Sequence, residues 1–324
     1  MKKFVFGILT YNQENYVLET LESIKYQKIN YGMDYEVSLI ITDDASRDKT
    51  VEVIKSWVEK NSVLFKKVDL IANEKNKGTV ANFKTIVSKI TDEQLKIIAG
   101  DDLIGQKNVF VEYDTLNDKK LKTYVRVELC DGKIYYREKF LIDFYYHKKY
   151  GTGRNYNLKT FRKGKYVHTP STLYTKQLYL NAEVDKNLEG YHLFEDDPMW
   201  YSMIRNEEDL AIEFVEQGMI LYRVHNQSVS NAPNPIFAKD MKRLREQYLE
   251  DTKGLEKLYL IIRTKTNGWP LYVNPGLYLD KFINMKRERI CKKDLGYQAF
   301  KEKIEQQVKE EQKFYNEILA ELSK

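Results

Sequence analysis

Two cysteines, six prolines and four histidines are all that 324 residues carry of these three types. Cys130 and Cys291 stand far apart and in no metal-ligand spacing, so neither a disulfide framework nor a cysteine-bound zinc site is expected. No stretch approaches the roughly 20 apolar residues of a membrane span. The opening MKKFVFGILTYNQEN has the lysines and apolar run of a secretory leader. However, Tyr11–Glu14 breaks the run and no small-residue cleavage site follows. It reads as a first β-strand, and the expected location is the cytoplasm or the inner face of the cell membrane. Phosphate-cradling glycine motifs are also missing. GxGxxG does not follow the first strand, GxxxxGK[ST] does not occur, and GTGR at 151–154 lacks a preceding strand. A typical dehydrogenase and a P-loop enzyme are thereby excluded. The net charge of +5 suits a phosphate-bearing ligand and does not call for nucleic acid.

What is present is an alternation. FVFGIL (4–9), YEVSLIITDD (35–44), VDLIAN (68–73) and LKIIAG (95–100) read as strands. Between them NYVLETLESIKYQ (15–27), DKTVEVIKSWVEK (48–60) and TVANFKTIVSKI (79–90) have helical apolar spacing, with Ser46 as the expected cap of the second helix. Such an order predicts an α/β fold with a mainly parallel sheet flanked by helices. In these sheets ligands bind beyond the carboxyl ends of the strands. Tyr11–Asn12, Asp43–Asp44, Asn73–Gly78 and Asp101–Asp102 all fall there. Further on, residues 124–140 predict a hairpin around Asp131–Gly132. Residues 150–157 read as a loop, 199–212 as a helix and 213–225 as two short strands. After NAPNPIF (231–237) the pattern is mostly helical.

IIAGDD (97–102) puts two acids side by side where a core strand reaches the surface. Adjacent carboxylates repel when partly buried, and a bound cation removes that cost. An aspartate-rich turn explains the pair too. FEDDPMW (194–200) is a second acidic cluster. It suits a general base, and equally a helix start with Pro198 in the first turn.

Six pieces in order resemble the family 2 glycosyltransferases: GILTYNQENYVLETLESIKYQ, IITDDASRDKT, NEKNKGTVANF, IIAGDD, FEDDPMW and YRVHNQSVS. The resemblance spans roughly residues 1–235. It implies the GT-A nucleotide-sugar-binding fold with a C-terminal helical appendage. The implied catalytic domain is 1–235, with a nucleotide-binding half (1–102) and an acceptor-binding half (103–235), followed by a helical region (236–324). The implied activity is an inverting, metal-dependent transfer of a hexosyl or N-acetylhexosaminyl group. The donor would be a nucleotide diphosphate, UDP first, and the acceptor a glycan or lipid-linked glycan of capsule-type surface polysaccharide. No QxxRW-type signature is present, which implies a non-processive enzyme.

By the same resemblance, Asp196 is the catalytic base and Glu195 its partner on acceptor or sugar. Thr10, Tyr11, Asn12, Glu14, Asp43, Asp44, Asn76, Lys77, Gly78 and Asp101 would contact the nucleotide. Asp102, with Asp101 and His225, would hold Mn²⁺ or Mg²⁺, although Ala99 stands where many members have a further Asp. Asp197, His168 and Trp200 would border the acceptor, and Arg223 with the Ser228/Ser230 loop would cover the diphosphate. A non-catalytic scaffold of the same fold and a nucleotidyltransferase are the alternatives. The basic, aromatic C-terminal helices suit an anionic membrane face or a solvated packing face. The spacing of Phe300, Ile304 and Val308 leaves a homo-oligomer open.

Overall fold

The computed structural model describes residues 1–91, 94–151, 153–163, 167–225, 234–266 and 274–323. The first hundred residues form β1 (Lys2–Thr10), α1 (Val17–Tyr31), β2 (Tyr35–Asp43), α2 (Thr50–Asn61), β3 (Lys67–Ala72), α3 (Thr79–Lys89) and β4 (Gln94–Ala99). The four strands make a parallel sheet in the order β3-β2-β1-β4. Phe4, Phe6 and Ile8 of β1 are fully buried, each contributing about 1.5–3 kcal/mol. On α1, Val17, Leu21 and Ile24 recur at helical spacing and pack into the same cluster.

Next come β5 (Leu103–Ile104), α4 (Val109–Asp114), β6 (Lys120–Cys130), β7 (Lys133–Tyr135), α5 (Glu138–Tyr150), α6 (Arg154–Lys163), β8 (Thr172–Leu173), α7 (Lys176–Asn181), α8 (Val184–Asn187), α9 (Asp196–Asn206) and β9 (Ala211–Arg223). A second, mixed sheet has the order β5-β9-β6-β7, with β8 beside β6. The hairpin turns at Asp131 and Gly132, both at positive φ. Residues 211–223 form one strand rather than two. Its register against β6 shifts around Val125, and the bulge takes up the polar stretch Glu216–Gln217 without ending the strand. Part of the predicted loop at 150–157 is the start of α6. The helix expected over 199–212 runs from 196 to 206.

The remainder is helical: α10 (Pro235–Glu250), α11 (Gly254–Lys265), α12 (Pro275–Lys292) and α13 (Leu295–Leu322). The expected boundary near 231–237 falls partly in residues 226–233, outside the described residues, as do Ser228 and Ser230. These helices share the cores of the rest. Leu244 and Tyr248 pack with α9 residues, and Phe314 and Ile318 cover Val127, Leu129 and Leu221 of the second sheet. Among the described residues no helix is long and apolar enough to cross a membrane.

Candidate active site

Strands β1, β2 and β4 run parallel, so Thr10 lies beside Asp43, and Leu9 beside Ala99. The turns that follow meet at one edge, where a cleft of about 1100 Å³ opens. From the first sheet it is bordered by Thr10, Tyr11, Asn12, Glu14, Asp44, Asn76, Asp101 and Asp102. From the second half come His168, Glu195, Asp196, Tyr222, Arg223 and His225. Gly100 is required at the turn: a Cβ there would lie 2.5 Å from Gln13 Oε1 and 2.7 Å from Thr10 Cγ2.

The first acidic pair is held by the protein itself. Asp43 is buried and accepts from Ser46 N (2.9 Å), Ser46 Oγ (2.5 Å) and Thr10 Oγ1 (3.0 Å). It does not border the cleft, which corrects its expected place at the nucleotide. Ser46 is spent on Asp43, and Asp48 accepts from Thr50 N at the start of α2 (3.0 Å), so Ser46 is not the cap. Asp44 does border the cleft. Its two oxygens accept from Lys77 N (2.7 Å) and Gly78 N (2.9 Å). Lys77 and Gly78 therefore act through their backbone, behind Asp44, and neither lines the cleft. Asn76 Nδ2 donates to the Asp44 carbonyl (3.3 Å). Asn12 Oδ1 accepts from Arg47 N, and Glu14 Oε2 from Lys49 N, each at 2.8 Å. Those two side chains tie the first turn to the second. Ala45, at φ 64°, has left-handed backbone that a non-glycine residue adopts at a cost, as strained functional turns do.

The second acidic pair is held differently. Asp102 is buried; its Oδ1 accepts from Arg223 N (2.8 Å), while Oδ2 is buried with no hydrogen-bond partner. Burial first, then the Asp101 charge, pushes the Asp102 carboxyl well above the usual carboxylate range. Asp101 Oδ2 meets His225 Nε2 at 2.8 Å, and its carbonyl accepts from Arg223 Nε (2.7 Å). The Arg223 guanidinium bonds Glu19 (2.5 Å) and lies over the Tyr16 ring, with Tyr16 also 4.9 Å from His225. Among the described residues no three His, Cys, Asp or Glu side chains converge into a cage for an ion. A hard divalent cation that binds phosphates needs only one or two carboxylates from the protein. An orphaned, buried Oδ2 beside a second carboxylate fits that demand.

Opposite stand Glu195, the residue preceding α9, and Asp196, its first residue; both border the cleft. His168 reaches it too, with Nδ1 on Ser171 Oγ (3.0 Å) and its ring against Tyr222. The other two residues expected at the acceptor do not. Trp200 is fully buried and donates from Nε1 to Thr169 Oγ1 (2.7 Å), so it supports the wall from behind. Asp197 is absent from the cleft lining, and its charge acts on the buried Tyr248 of α10.

Two cations at the cleft were not anticipated from the sequence. Lys96 of β4 is buried and donates to the carbonyls of Pro170 (2.5 Å) and Thr172 (3.4 Å). Burial lowers its ammonium to about 7, against the opposing pull of the Asp102 and Asp196 charges. Arg126 of β6 pairs with buried Glu128 (2.7 Å) and lies between the Phe140 and Tyr222 rings. Lys96 is a lone cation inside the otherwise apolar LKIIA, and that interruption was the available signal; Arg126 stands in YVRVELC beside the acid Glu128 and has no comparable signal.

A parallel sheet with acid-bearing turns at one edge, facing a second acidic cluster on a helix start, is a GT-A glycosyltransferase arrangement. The chain belongs to glycosyl transferase family 2: the family model matches residues 6–178. Uncharacterized proteins of Mycobacterium tuberculosis and Mycobacterium bovis are 35% identical over 94 residues, 29% of this chain. The match spans only a quarter, 25%, of those relatives' own length. Among solved structures, S. aureus TarS 1-349 in complex with UDP-GlcNAc has a TM-score of 0.54 at 14% identity. That superposition covers 96% of this chain and 90% of TarS 1-349. GalNAc-T7 with UDP, GalNAc and Mn²⁺ has a TM-score of 0.55 at 12% identity, covering 88% of this chain and 55% of that one. At these identities the likeness is one of fold.

Proposed function

We propose that this chain transfers a hexosyl or N-acetylhexosaminyl group from a nucleotide diphosphate, UDP first, to a hydroxyl of a glycan or lipid-linked glycan. The observation that carries the reading is the meeting of Asp196 with Asp101 and Asp102 at one cleft. Although distant in sequence, all three charges act on the Tyr222 phenol. Complexes of the neighbouring folds with UDP-GlcNAc, and with UDP and Mn²⁺, support a UDP donor and a divalent cation.

Tyr11, Asn76 and Asp44 border the nucleotide end. Asp44 Oδ1 accepts from Lys77 N and, at 3.4 Å, from Asn73 Nδ2, whereas Oδ2 accepts from Gly78 N alone and keeps a lone pair for a base or ribose donor. Asp196 takes the proton of the acceptor hydroxyl as its oxygen bonds the anomeric carbon. The bond from that carbon to the diphosphate oxygen breaks, and its electron pair leaves with the nucleotide. One base and no second nucleophile gives single displacement with inversion, and the lack of a QxxRW-type signature supports transfer of one sugar at a time. Glu195 and His168 orient the acceptor or sugar. Asp101 and Asp102, with His225 beside them, would hold Mn²⁺ or Mg²⁺, which neutralises charge on a leaving diphosphate. Lys96 stands between the two acidic sides, and with its ammonium lowered to about 7 by burial it is positive there only below that pH.

Calorimetric titration of UDP, with and without Mn²⁺, tests the donor site. Micromolar binding that needs the metal is the expected result. No binding of UDP, GDP or dTDP under either condition overturns the reading and leaves a scaffold.

A surface-polysaccharide role with a lipid-linked acceptor has separate support. The outer face of α12 exposes Leu279, Phe282 and Met285 among Lys281, Lys286 and Arg289. Apolar and basic side chains interleaved on one helix face suit an anionic lipid surface, and the half-exposed Glu288 of the same helix is paired with Lys292 (2.5 Å). Sedimentation with phosphatidylglycerol vesicles, reduced by Phe282→Glu, is the expected result. Equal sedimentation of that variant, or of the wild type with neutral vesicles, overturns it.

A further inference from the structure

The catalytic segment is held from outside the catalytic half. Asp240 lies on α10, in the C-terminal helices, and is 1% exposed. Its Oδ2 accepts from three consecutive amides: His192 N (2.9 Å), Leu193 N (2.8 Å) and Phe194 N (3.2 Å). The next two residues are Glu195 and Asp196. Burying a carboxylate is costly, and its Oδ1 is buried with no hydrogen-bond partner. A core position that only needed filling would carry a leucine. A carboxylate gathering three successive N–H groups instead fixes the orientation of three peptide planes, as an anion nest does.

Two further contacts tie the same stretch to α10. The Phe237 ring, one turn before Asp240, packs edge-on against Phe194 at 5.0 Å. Two turns after it, Gln247 Nε2 donates to Asn187 Oδ1 (2.6 Å), and Asn187 Nδ2 donates to the Pro198 carbonyl (2.7 Å). Both sides of the α9 start are thus braced by one helix. The brace also reaches the nucleotide side. The His192 carbonyl accepts from Val80 N (3.0 Å), two residues beyond the Gly78 amide that Asp44 accepts.

The geometry points to Asp240 as a positioning residue for Asp196: its carboxylate holds residues 192–194 so that the base meets the acceptor hydroxyl. The assignment rests on the proposed role of Asp196. It places a determinant of turnover in the C-terminal helices, outside the matched family region, which ends at 178.

Asp240→Asn keeps shape and loses charge; Asp240→Ala removes the acceptor. Initial rates of UDP release from UDP-GlcNAc are expected to fall roughly tenfold in the first and roughly a hundredfold in the second. The KM for donor and the calorimetric UDP affinity should stay within about threefold, since the Asp44 side of the cleft is untouched. Amide hydrogen exchange supplies a readout that needs no activity. Protection of residues 192–194 should drop in both variants while residues 38–43 of the sheet core keep theirs. Unchanged exchange at 192–194, turnover within twofold of wild type in Asp240→Ala, or parallel losses of UDP binding and turnover would overturn the assignment. A wild-type chain that binds no nucleotide sinks the proposed function, and the exchange measurement still decides whether Asp240 holds the segment.

Discussion

Asp43–Asp44 and Asp101–Asp102 look alike in the sequence, since each pair follows an apolar strand of the same sheet. Their surroundings are opposite. Asp43 and Asp44 together accept from four backbone N–H or hydroxyl donors of the chain at 3.0 Å or less, besides the Ser46 hydroxyl at 2.5 Å. Asp102 receives one backbone N–H, leaves Oδ2 buried and unsatisfied, and carries a raised carboxyl pKa. The first pair is spent on building a turn and leaves lone pairs over for a ligand. The second is opposed in part by the Arg223 and Lys96 charges, and leaves Asp102 Oδ2 without a hydrogen bond from the chain. Adjacent acids at a strand end therefore do not by themselves mean metal; the count of internal donors separates the two cases.

The comparison can be broken at several points. The largest effect belongs to neither pair: Asp196→Asn is expected to lower kcat about a thousandfold with UDP affinity unchanged, measured by initial rates and calorimetry. Next, Asp102→Asn should abolish the Mn²⁺-dependent part of UDP affinity, a loss of roughly a hundredfold. It should also leave the melting temperature of the metal-free chain level or higher, because a repelled buried charge is gone. Asp43→Ala should do the reverse: metal dependence intact, and stability lower by about 3 kcal/mol in urea unfolding, as three donors lose their acceptor. The smallest effect comes from a buried acid away from both pairs. Glu311 of α13 accepts from Gln106 N (3.0 Å), and burial raises its carboxyl from 4.5 to about 7. A folded-state value above the unfolded one adds stability below pH 4.5, and that stability is lost as pH rises through 7. Urea midpoints should fall by an amount equivalent to at most about 2–3 kcal/mol between pH 4.5 and 7.5, and Glu311→Gln should flatten the slope.

Much of the first hundred residues was legible because each element there carries its own signal. Helical spacing on α1 to α3, apolar runs on β1, β2 and β4, and polar turns between them are local facts, and the sheet follows from their order. Asp44, Asn76, Asp101 and Asp102 sit at strand ends, so their shared edge was legible too. The roles of Asp43 and Asp44 were not separable, because the donors that divide them come from residues 10, 46, 77 and 78. The second half depends on distant pairing. The parallel register of β6 with β9 joins residues 120–129 to 211–223, and no local pattern announces it. Trp200 was expected at the acceptor by the family resemblance. The α9 helix turns it inward instead, onto Thr169. The involvement of α10 in the site has no motif at all, since Asp240 is one acid in a charged run, KDMKRLREQ.

The length and placement of α13 bear on how the chain folds as it is made. Strand β6 ends at Cys130, whereas α13, which covers Val127 and Leu129, begins at Leu295. At roughly 5–20 residues per second, a ribosome leaves that strand face bare for on the order of ten seconds or more. Residues 1–99 need no such wait for their parallel sheet, because its four strands and the helices between them emerge consecutively. The second sheet, rich in exposed Val and Leu until its cover arrives, is the part of the nascent chain most open to aggregation and to chaperone capture.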